Sequence, residues 1–371
     1  MPPMNAGAHS IELVSFVVDN GEVIESGRSA ALHVTVTGVT ADAAPAMANA
    51  TSTRLLTTTD GAELRLSVLP EQPDAPTAFA SAPDGRVFVA ERGGRIRILR
   101  GEALDPEPAI DIEEVLVTDT SEGGLLALAL DAQFERTRLV YAVYTVLARE
   151  GSRQFRLVRF REVGDRLGER IVLLDGIPAG SRPSAALGTG PDGRLYVAFD
   201  ASTRTGRTAA LASYSGKVLR LNTDGTTPED QRTGPVFATD FQSPRGLDWH
   251  PSTGALWVAD VKRRDLEELR VVDAASSASS RRIPLPGGTG AAALAFYRGT
   301  LLPAFEGDLF VAAEEGRHLL RLRLDPTDPA RIVSSERLLQ DLDSPIRAVS
   351  VTGDGTLYVA TDQAVLRLGP R

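Results

Sequence analysis

Residues 83–90 read PDGRVFVA, and the same octapeptide returns at 191–198 as PDGRLYVA. The pattern is a turn followed by aliphatic, aromatic, aliphatic and small residues. Working outward, it recurs as STGALWVA (252–259), FEGDLFVA (305–312) and GDGTLYVA (353–360), with a looser copy, RTRLVYAV, at 136–143. The central aromatics Phe88, Tyr141, Tyr196, Trp257, Phe310 and Tyr358 are spaced by 53, 55, 61, 53 and 48 residues. Self-similarity at a fixed period marks a repeat fold, and periods of about 40–50 residues are those of propeller blades.

Each copy has the same neighbours. Before it stands a strand rich in small residues, as in PTAFASA (76–82), GGLLALAL (123–130) and GAAALAF (290–296). After it stands a strand alternating arginine with aliphatics, as in GRIRIL (94–99), GKVLRL (216–221) and HLLRLRL (318–324). Strands beside a propeller axis crowd together and favour small side chains. A strand covered on both faces suits a continuous apolar run. The alternating strand is expected to point its arginines to solvent. Asp-Gly and Thr-Gly supply the hairpin turns.

The expected fold is therefore all-β: a six-bladed β-propeller of four-stranded blades. The last blade has only three strands before the chain ends, so ELRLSVL (63–69) is expected to supply its fourth and to close the ring. Residues 61–371 form the propeller on this reading. Residues 1–60 form a β-hairpin extension and linker, too small to be stable alone, and a possible oligomerisation element.

Composition narrows the function. A net charge of −9 without a basic patch argues against nucleic acid. No apolar run approaches the roughly 18 residues of a membrane span. The absence of cysteine excludes disulfides, thiolate metal sites and a thiol nucleophile. The first ten residues, MPPMNAGAHS, lack the basic start and apolar stretch of a signal peptide, which leaves the cytoplasm open. The four histidines stand at 9, 33, 250 and 318, none at a position suited to an axial ligand, so a Ser-His-Asp triad has no support.

Antiparallel order places the entries of the first strands and the loops after the second strands on one face, opposite the Asp-Gly turns. The candidate ligand-facing residues are then Glu122, Arg182, Gln242, Arg245 and Arg347 at the entries, with Arg92, Asp200, Lys262 and Glu314 in the loops. Five of the six copies carry an acid within two positions of the final alanine: Glu91, Asp200, Asp260, Glu314 and Asp362. Glu122, Arg182 and Glu314 are the candidate catalytic groups, and the remaining six candidates are ligand-binding. The long loop at 200–216 belongs to the same face, where long loops tend to carry function.

At this point the chain resembles the soluble aldose sugar dehydrogenases that use pyrroloquinoline quinone (PQQ), the glucose/sorbosone dehydrogenase family. The resemblance rests on APDGRVFVAERGGRIRIL (82–99), EGGLLALALDAQF (122–134), SYSGKVLRLNTDGT (213–226), SPRGLDWHPSTGALWVAD (243–260) and GDLFVAAEEGRHLLRL (307–322). It implies six blades, an export to the periplasm or beyond, and an axial site for PQQ and calcium. The family's histidine-glycine-glycine base at the entry of blade three reads here as Arg182, Pro183, Ser184 and Ala185. Its Arg-Asn-Pro-Gln-Gly entering blade four reads Gln242, Ser243, Pro244, Arg245 and Gly246. The Asn-Tyr-Gly-Trp-Pro stretch that supplies backbone oxygens to calcium has no counterpart. Glu122 and Arg347 are the two site positions that carry over.

The expected function is that of a glucose/sorbosone dehydrogenase-like propeller with a remodelled axial site for a polar small molecule or carbohydrate. PQQ-dependent oxidation is expected to be lost, with neither PQQ nor any resident metal. Two other readings stay open: a quinone-dependent sugar dehydrogenase with atypical ligands for PQQ and calcium, and a protein-interaction propeller. A metal-dependent propeller lactonase is a lesser alternative.

Overall fold

A computed structural model describes residues 7–11, 16–19, 22–25, 29–36, 53–118, 122–201, 214–263, 266–273 and 276–371. The chain divides into two compact units, Met1–Ala50 and Thr51–Arg371. In the first, Gly7–Ile11 pairs with Leu32–Val36, and Phe16–Asp19 pairs with Glu22–Glu25. In sequence the shorter pair lies between the two strands of the longer one. The linker expected ahead of the propeller lies mostly outside the described residues.

The second unit is a propeller of six antiparallel sheets. The first strands are Pro76–Ser81, Leu125–Leu130, Ala185–Thr189, Pro244–Trp249, Ala291–Phe296 and Ile346–Val351. Each packs on the first strand of the next blade, and the sixth packs on the first, so the ring closes. The second strands hold the repeat: Arg86–Glu91, Leu139–Leu147, Leu195–Phe199, Leu256–Arg263, Leu309–Ala313 and Leu357–Thr361. In blades three, five and six every residue of this strand is buried. Each covers the face of its neighbour, which is why the sequence there is apolar without alternation.

Ring closure follows the sequence expectation. Val365–Pro370 pairs with Glu63–Val68, with Leu368 opposite Leu66. The structure extends this: Arg54–Thr57 pairs outside Glu63–Val68 as a fifth strand of the last blade. Residues 54–57 therefore belong to the propeller's sheet, which begins seven residues ahead of the start at 61 drawn from sequence.

The Asp-Gly turns are set by the side chain of the aspartate. Asp84, Asp192 and Asp354 each accept a hydrogen bond from the backbone N–H two residues on, at 3.1, 3.1 and 3.0 Å. Gly355 shows why glycine follows. Its φ is +100°, and a Cβ there would lie 2.4 Å from Tyr297 Oη, which donates to Gly355 O at 2.9 Å. Gly355→Ala is expected to lower propeller stability by about 1–3 kcal/mol, since overpacking adds to backbone strain. Urea denaturation followed by tryptophan fluorescence would check this. An unchanged midpoint would show that the loops of blades five and six part without cost.

One expectation fails. The third-strand arginines do not all face water: Arg270 is 4 % exposed and Arg321 is 3 % exposed. In four blades the third-strand arginine stands opposite the second-strand aromatic, as Tyr141 with Arg159, Tyr196 with Arg220, Phe310 with Arg321 and Tyr358 with Arg367. The next blade covers this strand too. The guanidinium lies over apolar surface and reaches acids and carbonyls at the blade edge.

Candidate functional site

The residues entering the first strands and those leaving the second strands meet at one end of the axis, around a cavity of about 530 Å³. Its charged lining is Arg92, Arg182, Arg245, Arg347, Glu122, Glu314 and Asp362. Blade one gives Arg92, two gives Glu122, three Arg182, four Arg245, five Glu314 and six Arg347 with Asp362. Six of the nine sequence candidates thus converge, one or more from every blade. Below them the axis narrows to a cavity of about 110 Å³ lined by small and aliphatic residues such as Ala185, Leu187 and Val349. Thr77 and Arg245 of the mouth also reach this lower cavity.

The Glu-Gly-Gly stretch is shaped by Arg92. Gly124 has φ +98°, and a Cβ on it would lie 2.4 Å from Arg92 O and 2.7 Å from Arg92 Cγ. Only glycine lets this loop cross over the arginine. Arg92 Nη1 in turn donates to Gly123 O at 3.2 Å. Burial, and then the nearby charge of Arg347, lower the pKa of the Arg92 guanidinium.

The ion pairs of the mouth fall into two groups. Arg182 Nε lies 3.2 Å from Glu122 Oε1, and the arginine is 79 % exposed. Arg347 donates through Nε to Asp362 Oδ1 at 2.5 Å and pairs through Nη1 with Glu314. Arg245 donates through Nε to Ser243 Oγ at 3.1 Å, and Ser243 Oγ lies 2.8 Å from Ser184 Oγ.

The other three candidates are elsewhere. Asp200 is buried behind the mouth and accepts from Ser184 N at 3.0 Å. Burial raises its carboxyl to about 6. Gln242 is exposed and outside the cavity lining, and its N–H donates to Asp260 at 3.0 Å. Lys262 pairs with Glu268 at 3.0 Å. Asp200 and Asp260 share one job. The acid following the second strand folds back to hold the backbone N–H groups that enter its own blade's first strand, as Asp260 does for Gln242 and Ser243. Glu91 does the same for Asp74 N at 3.0 Å. Only in blades five and six does the acid turn into the mouth. Residues 202–213 of the long loop of blade three lie outside the described residues.

Sequence reasoning passed over Thr77 and Ser184, both in the lining. Their signal was position: each stands one residue from the start of a first strand. The histidines stay out. His250 packs against Trp257 and Phe296, with its pKa lowered by burial. His318 is buried, with Nδ1 2.7 Å from Gly316 O. Among the described residues no imidazole lines the mouth, and no cluster of three or more His, Cys, Asp or Glu could hold a metal.

A larger cavity, about 750 Å³, lies beside blades four and five and includes His250, Arg298 and Arg323. Its guanidiniums are already committed, Arg298 to Asp248 at 2.7 Å and Arg323 to Asp60 at 2.5 Å. Chemistry rather than size therefore selects the axial mouth.

Comparison with known proteins agrees with the geometry. A Thermus thermophilus oxidoreductase described as a glucose dehydrogenase has a solved structure 31% identical to this chain, with a TM-score of 0.69, covering 82% of this chain and 99% of that one. The aldose sugar dehydrogenase YliI of Escherichia coli is 22% identical over 354 residues, 84% of this chain and 94% of its own. The PQQ-bound aldose sugar dehydrogenase of Streptomyces coelicolor shares the fold at 22% identity and a TM-score of 0.65, covering 83% of this chain and 98% of that one. No helix among the described residues is long and apolar enough to cross a membrane. The model of the glucose/sorbosone dehydrogenase family matches residues 73–277 and 285–368, the greater part of the propeller, and the chain belongs to that family.

Proposed function

We propose that this propeller binds a polyhydroxylated small molecule, a carbohydrate in the first instance, in its axial mouth, and that it does so without PQQ. One observation carries the reading. At the entry of blade three, where the family resemblance asks for an imidazole base, stands Arg182, paired with Glu122 at 3.2 Å. A guanidinium stays protonated and cannot remove a proton from a sugar hydroxyl.

The residues present do not fit the quinone and its calcium as that resemblance implies them. Arg347, one of two positions carried over, is engaged by Glu314 and Asp362. The stretch between the third strand of blade four and blade five, where the family's calcium-binding peptide has no counterpart, is drawn into blade four. Ser276–Pro284 runs as the outer strand there, and the Glu267 carboxylate binds Gly290 N and Ala291 N at 2.9 and 3.1 Å. The lining instead suits hydroxyls. Carboxylates such as Glu122 and Glu314 accept from them, and guanidiniums donate to their oxygens. A volume of about 530 Å³ also lies within the usual size of small-ligand sites.

Reconstitution tests this. The protein is incubated with calcium and PQQ, desalted, and scanned for retained quinone absorbance and for dye reduction with several aldoses. We expect no retained quinone and no turnover, while a panel of sugars raises the melting temperature. Quinone-dependent turnover would overturn the proposal in favour of a sugar dehydrogenase with atypical ligands.

A further inference from the structure

We propose that the ligand of the axial mouth carries an acidic group: it is a polyhydroxy anion, a sugar acid or a sugar phosphate, seated on Arg92 and Arg245. The inference rests on the reading of the mouth as a carbohydrate site and adds the ligand's charge.

The argument is a charge count around the cavity. Among the described residues three carboxylates line it, and all are taken, Glu122 by Arg182 and both Glu314 and Asp362 by Arg347. Arg92 and Arg245 are left over. Among the described residues neither has a carboxylate within 4 Å; each has one neutral acceptor, Gly123 O and Ser243 Oγ. Asp200 makes no contact pair with Arg245: one of its oxygens accepts from Ser184 N, and the arginine acts on it only through charge at a distance. Partly buried cations with no carboxylate in contact are unfavourable, and burial, then the charge of Arg347, lowers the pKa of Arg92 although Glu314, Glu122 and Asp362 act the other way from a distance. An oxyanion is the complementary group, since it offers forked acceptors to the forked donors of arginine. The rest of the ligand must bring hydroxyls, because Glu122, Glu314 and Asp362 can only accept. The chain's net charge of −9 repels anions in general, so the preference is local to this mouth.

Calorimetry at low ionic strength tests the proposal with gluconate, galacturonate, glucose 6-phosphate, glucose and inorganic phosphate as probes. At least one polyhydroxy anion is expected to bind about tenfold or more tightly than glucose, and to weaken as salt is raised. The carboxylate and phosphate probes distinguish the two sources of the acidic group. Arg245→Gln and Arg92→Gln are each expected to reduce that affinity about tenfold or more, since charged hydrogen bonds are among the strong ones. Circular dichroism checks their folds, and Arg245→Lys should retain part of the affinity if charge is the cause. Equal binding of glucose and its acids, or anion binding untouched by Arg245→Gln in folded protein, would end the inference and leave a neutral-sugar site. Failure of every sugar, neutral or acidic, would end the parent reading as well.

Discussion

Replacing Arg321 with alanine is expected to lower the stability of the propeller by about 3–5 kcal/mol, the scale for removing one partner from a buried ion cluster. Arg321 is 3 % exposed and stands on the third strand of blade five, His318–Leu324. Its Nε donates to Asp308 at 2.6 Å, and its two terminal nitrogens hold Asp60 at 3.0 and 2.9 Å. Its guanidinium also lies 4.1 Å from the centroid of the Phe305 ring. Asp60 sits in the turn between Arg54–Thr57 and Glu63–Val68, the two outer strands that complete the last blade. The cluster therefore pins the strands from the start of the propeller to blade five, beside the seam where the ring closes. Alanine would leave Asp308, itself buried, without its main counter-charge. Equilibrium unfolding in urea would give the loss, and a change below about 1 kcal/mol would show that the seam does not depend on this arginine. Arg321 and Arg323 hold the Asp60 carboxyl well below the usual carboxylate range. Its contribution is present above about pH 4 and is lost as pH falls further toward its depressed folded value.

Asp200→Asn should act in the opposite direction. Burial raises this carboxyl to about 6, against about 3.9 in an unfolded chain. Below pH 4 both states hold the proton and the group is neutral to stability. Between pH 4 and 6 the unfolded chain loses its proton first, so stability falls as pH rises. Above pH 6 the cost is constant, at up to about 3 kcal/mol for two units of displacement. An asparagine can still accept from Ser184 N, and it has no charge to bury. The variant is thus expected to gain on the wild type between pH 4 and 7.5 by up to about 3 kcal/mol. A series of urea melts across that range would show it. A difference independent of pH would mean that Asp200 is ionised in the folded protein as readily as in water.

Asp200 also marks the limit of reading the site from sequence. Glu91, Asp200, Asp260, Glu314 and Asp362 occupy equivalent places after the same tripeptide pattern, and they looked alike. Three bend back to their own blade's entry and two point into the mouth. The local sequence does not separate these outcomes, because side-chain direction depends on which backbone N–H groups and guanidiniums the folded ring places nearby. The same holds for Arg270 and Arg321, whose alternating strands implied solvent. Phe241, on the connection from blade three, covers Arg270, and Asp60 of the closing hairpin joins Phe305 of blade five in covering Arg321.

What the sequence determined by itself was the number of blades, the strand order within them, the closing strand and the face that bears the charged residues. These follow from short-range rules: a two-residue side-chain period, glycine at positive φ, and small residues where strands converge. The tertiary structure alone decided which charges neutralise one another and which remain unpaired. The pairs Arg182 with Glu122 and Arg347 with Glu314 join neighbouring blades, and among the described residues Arg92 and Arg245 are left without a contacting acid because the acids lining the mouth are already taken. Electrostatic pairing acts between groups brought within a few ångströms by the ring, at separations that the order of residues along the chain does not encode.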